Sequence, residues 1–469
     1  MYEPKIIAYL CTWCSYTGAD TAGIARLKSP ANLRAVRVPC SGRVSPEIIM
    51  RTFDQGADGV LVLGCHIGEC HYDSGNHRTA KRLPVLKTLM AYAGLEPQRL
   101  HLDWVSASEG ERFSRIVNEF AESVRLLGPA NYPVKSWAVH NVELPWAQSE
   151  PLDSLGFDIQ SYAMREAAIR DYASQLLSES RVSCVIGYER SPRGRLRPAF
   201  IYTPEDASRL VWNPDCTHNL TVYLSEKIRD GGRAPGKKPD QNPASIGIVV
   251  KPCDSRAIQV QLAEAQIRRE QVHIIGVTCE GIQAELDAYE NQPVSGKARL
   301  QKRCQVCSER TPVVFDRLVG GTVSPELSGT DSYRAVDAIE ALPPAERMEF
   351  WLSQFDRCIR CYACRQVCPS CDCPTCLYER DDSLWVGPAS GSGGVGLNEA
   401  RTFHLGRAFH LAGRCIGCDE CERVCPMDIP ISYLNRRLAQ EVRERFGYTA
   451  GLAPVPSPIV TVLSREEGL

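Results

Sequence analysis

The chain has 469 residues, 22 cysteines and a formal net charge of −2. The balance excludes the basic surplus of a nucleic-acid-binding surface. Apolar runs such as Gly59–Gly64 and Ser245–Val250 are strand-length, too short to span a membrane. Met1-Tyr2-Glu3-Pro4-Lys5 leads straight into an apolar strand with no signal-type segment, so a cytoplasmic location is expected. In a reducing compartment this many thiols read as metal ligands and not as a disulfide framework.

Length alone predicts about three domains. The first, over 1–130, alternates strand and helix. Strands are predicted at Ile6–Leu10, Leu33–Val38, Gly59–Leu63 and Leu100–Val105. Ser45-Pro46-Glu47 carries a capping serine and a proline at the first helical position. Ser108 with Glu111 three residues on predicts a second helix start through a capping box. The pattern is that of a small doubly wound α/β domain with a parallel sheet. Its strands run into Cys11 and Cys14, Cys40, and Cys65 and Cys70. Ligands collect outside the carboxyl ends of parallel strands, so five thiols at one edge predict a metal site with one cysteine to spare. Cys11 and Cys14 alone could be a thioredoxin-like redox pair, a reading weakened by the other three thiols.

The segments Cys11–Asp20, Val38–Val44, Gly64–Tyr72 and Ser106–Glu111 resemble the delta subunit of methyl-viologen-reducing hydrogenase. That resemblance implies one [2Fe–2S] cluster, with ligands drawn from Cys11, Cys14, Cys40, Cys65 and Cys70. It also implies partners. The donor would be the catalytic subunit of a hydrogenase or formate dehydrogenase, and the acceptor the flavin subunit of a heterodisulfide-reductase-type complex. His66 and His71 flank the site, either as hydrogen-bond donors to it or as solvated side chains.

The second domain, over 131–345, is predicted to be α/β. An extended connector is expected over Asn131–Pro151, then a helix over Ile159–Ser178 and strands at Cys184–Glu189 and Ala199–Thr203. Asp230–Ala244, rich in Gly, Pro and Lys, predicts an exposed loop. The strand Ser245–Val250 runs into Cys253, a helix follows over Ser255–Glu270, and the strand His273–Val277 runs into Cys279. With Cys304 and Cys307 these make four thiols, a number that suits zinc or a [4Fe–4S] cluster. Val185–Glu189, Pro198–Ile201, Trp212–Pro214 and Lys251–Ala257 resemble the beta-subunit family of deazaflavin-linked hydrogenases and formate dehydrogenases. Some members of that family bind FAD and reduce a soluble carrier. No phosphate-cradling glycine fingerprint accompanies the resemblance, and Gly391–Gly396 reads as a linker.

The third domain, over 346–469, opens with a predicted helix at Pro344–Phe355. It carries Cys358-x-x-Cys361-x-x-Cys364-x-x-x-Cys368-Pro369 and Cys415-x-x-Cys418-x-x-Cys421-x-x-x-Cys425-Pro426. This is the bacterial ferredoxin spacing, in which the fourth cysteine of each run ligates the other [4Fe–4S] cluster. One cluster is therefore expected on Cys358, Cys361, Cys364 and Cys425, and the second on Cys415, Cys418, Cys421 and Cys368. A ferredoxin-like dicluster module at the C-terminus favours the [4Fe–4S] reading of the middle set also. Cys371, Cys373 and Cys376 are three further thiols, open to a role in the middle cluster, in a zinc site with Cys216 or Cys184, or in none. A charged amphipathic helix is predicted over Pro430–Arg445 and a loose tail from Pro454.

No nucleophile–base pair and no acid–base carboxylate pair stands out. The sequence thus predicts an iron–sulfur electron relay, part of an oxidoreductase and not a self-sufficient enzyme. Two other readings stay open: an FAD-containing oxidoreductase subunit and a zinc-stapled structural subunit.

Overall fold

The computed structural model describes residues 2–130, 159–230, 245–283, 300–322, 333–380 and 396–459. The predicted connector over Asn131–Pro151, the Gly/Pro/Lys-rich loop beyond Asp230 and the Gly391–Val395 part of the linker lie outside these residues.

The first sheet holds β1 (Ile6–Cys11), β2 (Leu33–Val38), β3 (Gly59–Gly64) and β4 (Leu100–Trp104). The order is β2-β1-β3-β4 and every pairing is parallel. Between the strands run α1 (Ser15–Ile24), α2 (Pro46–Asp54), α3 (Gly75–Tyr92) and, after β4, α4 (Gly110–Leu127). Ser45 caps α2 as expected, its hydroxyl accepting from Ile48 N–H at 3.4 Å. The predicted Ser108 capping box does not form. Instead α4 starts two residues later, and the Glu109 carboxylate accepts from Ser106 N–H at 2.8 Å and meets His66 at 2.6 Å. Glu109 has a histidine partner to hold, and the backbone follows it.

The second sheet follows α5 (Ile159–Ser178) and contains β5 (Val182–Arg190), β6 (Leu196–Ile201), β7 (Ser245–Val250), β8 (Val272–Val277) and β9 (Arg317–Val319). Its order is β6-β5-β7-β8-β9, parallel except for the antiparallel edge strand β6. α6 (Thr221–Arg229) and α7 (Pro252–Ala263) flank it, and α8 (Lys302–Gln305) is a single turn that carries Cys304. The helix expected to reach Glu270 ends at Ala263, where Ala265 turns left-handed at φ 55°. The largely buried β7 and β8 read as continuous apolar runs, as central parallel strands do.

The C-terminal part is helical: α9 (Arg334–Glu340), α10 (Pro344–Asp356), α11 (Ala363–Gln366), α12 (Leu397–His410), α13 (Glu420–Arg423) and α14 (Ser432–Phe446). The tail from Pro454 is not loose over its described part. Ser457 is buried and its hydroxyl donates to Ala412 C=O at 3.3 Å, while Lys81 Nζ donates to Pro458 C=O at 3.2 Å.

One apolar core joins the two ends of the chain. Ile49, Phe53, Val60, Leu86 and Leu89 from the first sheet and its helices pack with Trp351, Phe355, Leu405, Leu434 and Leu438. Polar contacts pin the same seam: Arg401 pairs with Asp54, Thr402 donates to Asp54 at 2.7 Å, and the half-exposed His410 meets the buried Glu47 at 2.6 Å. The second sheet keeps its own core around Val185, Ile248 and Ile274. No helix among the described residues is long and apolar enough to cross a membrane.

Gly94 shows how close the seam is. Its φ is +79°, and a Cβ there would lie 2.4 Å from Met348 N and 2.5 Å from Pro344 O on α10. Gly94→Ala therefore combines left-handed strain with overpacking. We expect it to cost roughly 2–4 kcal/mol, read as a lower urea midpoint.

Candidate functional site

The first sheet brings its five predicted thiols together. Order β2-β1-β3-β4 reverses direction between β1 and β3, the switch point where parallel α/β sheets bind ligands. Cys11 ends β1 and Cys65 follows β3, and their sulfurs are 3.6 Å apart. Cys40 and Cys70 lie 3.7 Å apart beside them. Cys14 completes the group beside Cys65. Burial pushes the Cys40 thiol up to about 11, and a shared proton with Cys65 raises Cys11. Only a nearby cation would make such thiols the thiolates that metals bind. Of the flanking histidines, His66 is turned to Glu109, and His71 stacks on Trp13 at 3.7 Å between centroids.

Gly75 opens α3 against this group. A Cβ on it would meet Cys40 Sγ at 2.1 Å and Cys70 Sγ at 3.2 Å. The missing side chain is what lets two thiols lie against a helix start.

In the C-terminal part the two motifs fold alike. Each makes a turn with two left-handed residues, Arg360 (φ 49°) and Tyr362 (φ 58°) in the first, Gly417 (φ 70°) and Asp419 (φ 50°) in the second. These turns aim three successive thiols into one hole, and α11 and α13 lie against each other behind them. Two separate recesses result. Cys358, Cys361, Cys364 and Cys425 line one, with Phe403, His404 and Ile431 as its floor. Cys368, Cys415, Cys418 and Cys421 line the other. The fourth cysteine of each run thus stands in the recess of the other. Backbone N–H groups already point at sulfur, Arg360 N at 3.4 Å from Cys358 Sγ and Ile429 N at 3.5 Å from Cys425 Sγ.

The second sheet delivers Cys253 after β7 and Cys279 after β8. With Cys304 and Cys307 they wall a cavity of about 350 Å³, whose far side includes Cys415 and Cys418. This middle cavity thus abuts the second recess. Burial pushes Cys279 up to about 12. Arg303 spans the two spaces, pairing with Glu420 at 2.7 Å and donating to Cys418 C=O and, at 2.7 Å, to Thr217 C=O. Among the described residues no three His, Cys, Asp or Glu groups meet at a point fit for a single ion. The thiols stand around rims, which suits a many-atom cluster.

The other thiols separate from these sets. Cys184 and Cys216 are packed into the core of the second sheet, each pushed by burial up to about 12. Cys371 and Cys373 share a cleft with Cys368 on the far side of α11, with Gln261 and Arg365. Cys376 packs against Tyr378. The structure therefore does not join the three extra thiols to the middle set, to Cys184 or to Cys216.

Sequence reasoning passed over the charged frame. Arg303, Arg407, Arg436 and Glu420 are buried among the thiols or paired there, Arg436 to Asp419 at 2.6 Å. The trace in the sequence is slight: Arg407 follows Phe403 and His404 by four and three positions, on one helical face.

Comparison with known proteins points to the same N-terminal part of the chain. The family model for methyl-viologen-reducing hydrogenase, delta subunit, matches residues 6–128. The iron-sulfur subunit of the vhc F420-non-reducing hydrogenase of Methanococcus voltae is 44% identical over 128 residues, 27% of this chain and 89% of that protein. The corresponding iron-sulfur subunit of the F420-non-reducing hydrogenase of Archaeoglobus profundus is 46% identical over 131 residues, 28% of this chain and 96% of its own length. A third relative is a subunit of the ferredoxin/F(420)H(2)-dependent CoB-CoM heterodisulfide reductase of Methanosarcina acetivorans. It is 47% identical over 141 residues, 30% of this chain but only 18% of that protein. The thiol-rich chain fits iron–sulfur clusters and is related to subunits of hydrogenases and heterodisulfide reductases.

Because a Cβ at residue 75 would occupy the place of Cys40 Sγ, Gly75→Ala should lower iron per chain. The electron paramagnetic resonance signals of the C-terminal centres should persist unchanged.

Proposed function

Since this chain belongs to the methyl-viologen-reducing hydrogenase delta-subunit family, we propose that it is an iron–sulfur electron-transfer subunit of a hydrogenase- or heterodisulfide-reductase-type complex. The observation that carries the proposal is the partition of eight ferredoxin-spaced cysteines into two recesses of four, each completed by the other motif's last cysteine. In this reading Cys358, Cys361, Cys364 and Cys425 hold one [4Fe–4S] cluster, and Cys415, Cys418, Cys421 and Cys368 the second. Cys253, Cys279, Cys304 and Cys307 hold a third. Four of Cys11, Cys14, Cys40, Cys65 and Cys70 hold a [2Fe–2S] cluster. Such clusters, when bound, supply one-electron redox centres whose potentials follow charge, hydrogen bonding and exposure.

The chain's own part is to hold, insulate and charge them. N–H groups of Arg360 and Ile429 point at sulfur, and Phe403 and Ile431 give the first recess an apolar wall. The donor in this proposal is the catalytic subunit of a formate dehydrogenase or hydrogenase, bound near the middle or C-terminal sets. The acceptor is the flavin subunit of a heterodisulfide-reductase-like complex, bound at the edge of the first sheet. The three-domain division, 1–130, 131–345 and 346–469, belongs to the same proposal.

A second reading draws on the middle cavity. Its volume, about 350 Å³, lies within the range of small-molecule sites. Arg256, Arg310 and Arg443 on its walls suit an anionic cofactor such as FAD. A flavin absorbance band in the purified chain would favour a flavin-bearing oxidoreductase subunit.

Iron per chain after anaerobic purification tests the assignment, with an expected value of about 14 atoms for one [2Fe–2S] and three [4Fe–4S] clusters. A value near eight, with zinc in the balance, would leave only the ferredoxin-type pair. Removing residues 1–130 is a poor test of the relay because it would strip the shared core. Cys65→Ser is the better variant. It should cost about two iron atoms and stop transfer to the flavin subunit, while dye reduction by the donor continues. Undiminished transfer after loss of that iron would sink the relay.

A further inference from the structure

Arg407 lies on α12 between the two ferredoxin-type recesses and is buried. Its Nη2 donates to Cys364 C=O at 3.0 Å, and its Nε and Nη1 have no partner. Among the described residues no carboxylate pairs with it. Arg360, also buried and without a carboxylate among the described residues, lines the first recess alone, and its Nη2 donates to Tyr378 C=O at 2.9 Å. The other neighbouring arginines are paired. Arg303 has Glu420, Arg401 has Asp54, Arg414 has Glu264 and Arg436 has Asp419. The groups whose charge would act most strongly on Arg407 are thiols: Cys371 first, then Cys368, Cys364 and Cys421. Cys364 belongs to the first recess, Cys368 and Cys421 to the second.

An unpaired guanidinium in dry protein is strongly destabilising unless an anion answers it. A cluster held by four thiolates is such an anion, and it gains one further negative charge with each electron accepted.

We propose that Arg407 is the common counter-ion of the two ferredoxin-type centres and raises the reduction potential of both. This rests on the reading of those recesses as [4Fe–4S] sites. The balance is one electron in from an external reductant and one unit of negative charge gained, with no proton required. A fixed positive charge between the centres favours the reduced form of each.

The test uses the full chain, purified anaerobically, as wild type, Arg407→Gln and Arg407→Lys. Iron per chain is measured first. Both centres are then titrated with dithionite under electron paramagnetic resonance. Arg407→Gln should lower both midpoint potentials by at least a tenfold change in the one-electron equilibrium, about 59 mV per decade. Arg407→Lys should stay within about threefold of wild type, since it keeps the charge. A shift in one centre only, no shift, or an equal shift in the lysine variant overturns the proposal. Failure of both variants to load iron overturns it too, by making the side chain an assembly requirement. Wild-type protein without two [4Fe–4S] signals would instead bring down the underlying reading.

Discussion

A thiol buried in protein stays protonated unless positive charge is buried with it, and the whole arrangement follows from that constraint. Burial above all pushes Cys279, Cys184 and Cys216 up to about 12. For the last two this is the end of the matter: they are small apolar side chains in the core of the second sheet. The motif cysteines sit differently. Around them the chain has buried arginines, which it can do only by answering each charge. Where the answer is a carboxylate, as with Arg303 and Glu420, the pair also bridges the middle cavity to the second recess. Where it is not, as with Arg407, the proposed clusters would be the answering charge.

Much of this was legible in the sequence because the signals were local. Four strands of the first sheet and the capping of α2 by Ser45 follow from apolar runs and a Ser-Pro step. The crossed sorting of Cys368 and Cys425 is a matter of spacing, since three thiols on one tight turn leave the fourth out of reach. The Ser108–Glu111 spacing places the start of α4 two residues early, because it carries no sign that Glu109 holds His66 across 43 positions of sequence. α12 was missed for a related reason. Its polar residues, Arg401, His404 and Arg407, look exposed in sequence and are buried, each by an agreement with a distant segment. Long-range electrostatics leaves little trace in a local pattern.

The two ends of the chain share packing. The face of α2 and α3 that a doubly wound sheet would turn to solvent is covered here by α10, α12 and α14. The covering is specific at the level of single groups, through Asp54, Glu47 and the absent side chain of Gly94. Burial of Arg401 against Asp54 is strong evidence of registry between the two parts, though weak evidence of stability.

That shared core has a bearing on composition in the cell. Two redox-bearing parts on separate chains meet at a rate and to an extent set by their abundance. Here the encounter is intramolecular, so its effective concentration is a property of the fold and dilution does not part the members. The ratio of one N-terminal thiol set to one C-terminal pair is likewise written into the polypeptide, beyond the reach of unequal synthesis.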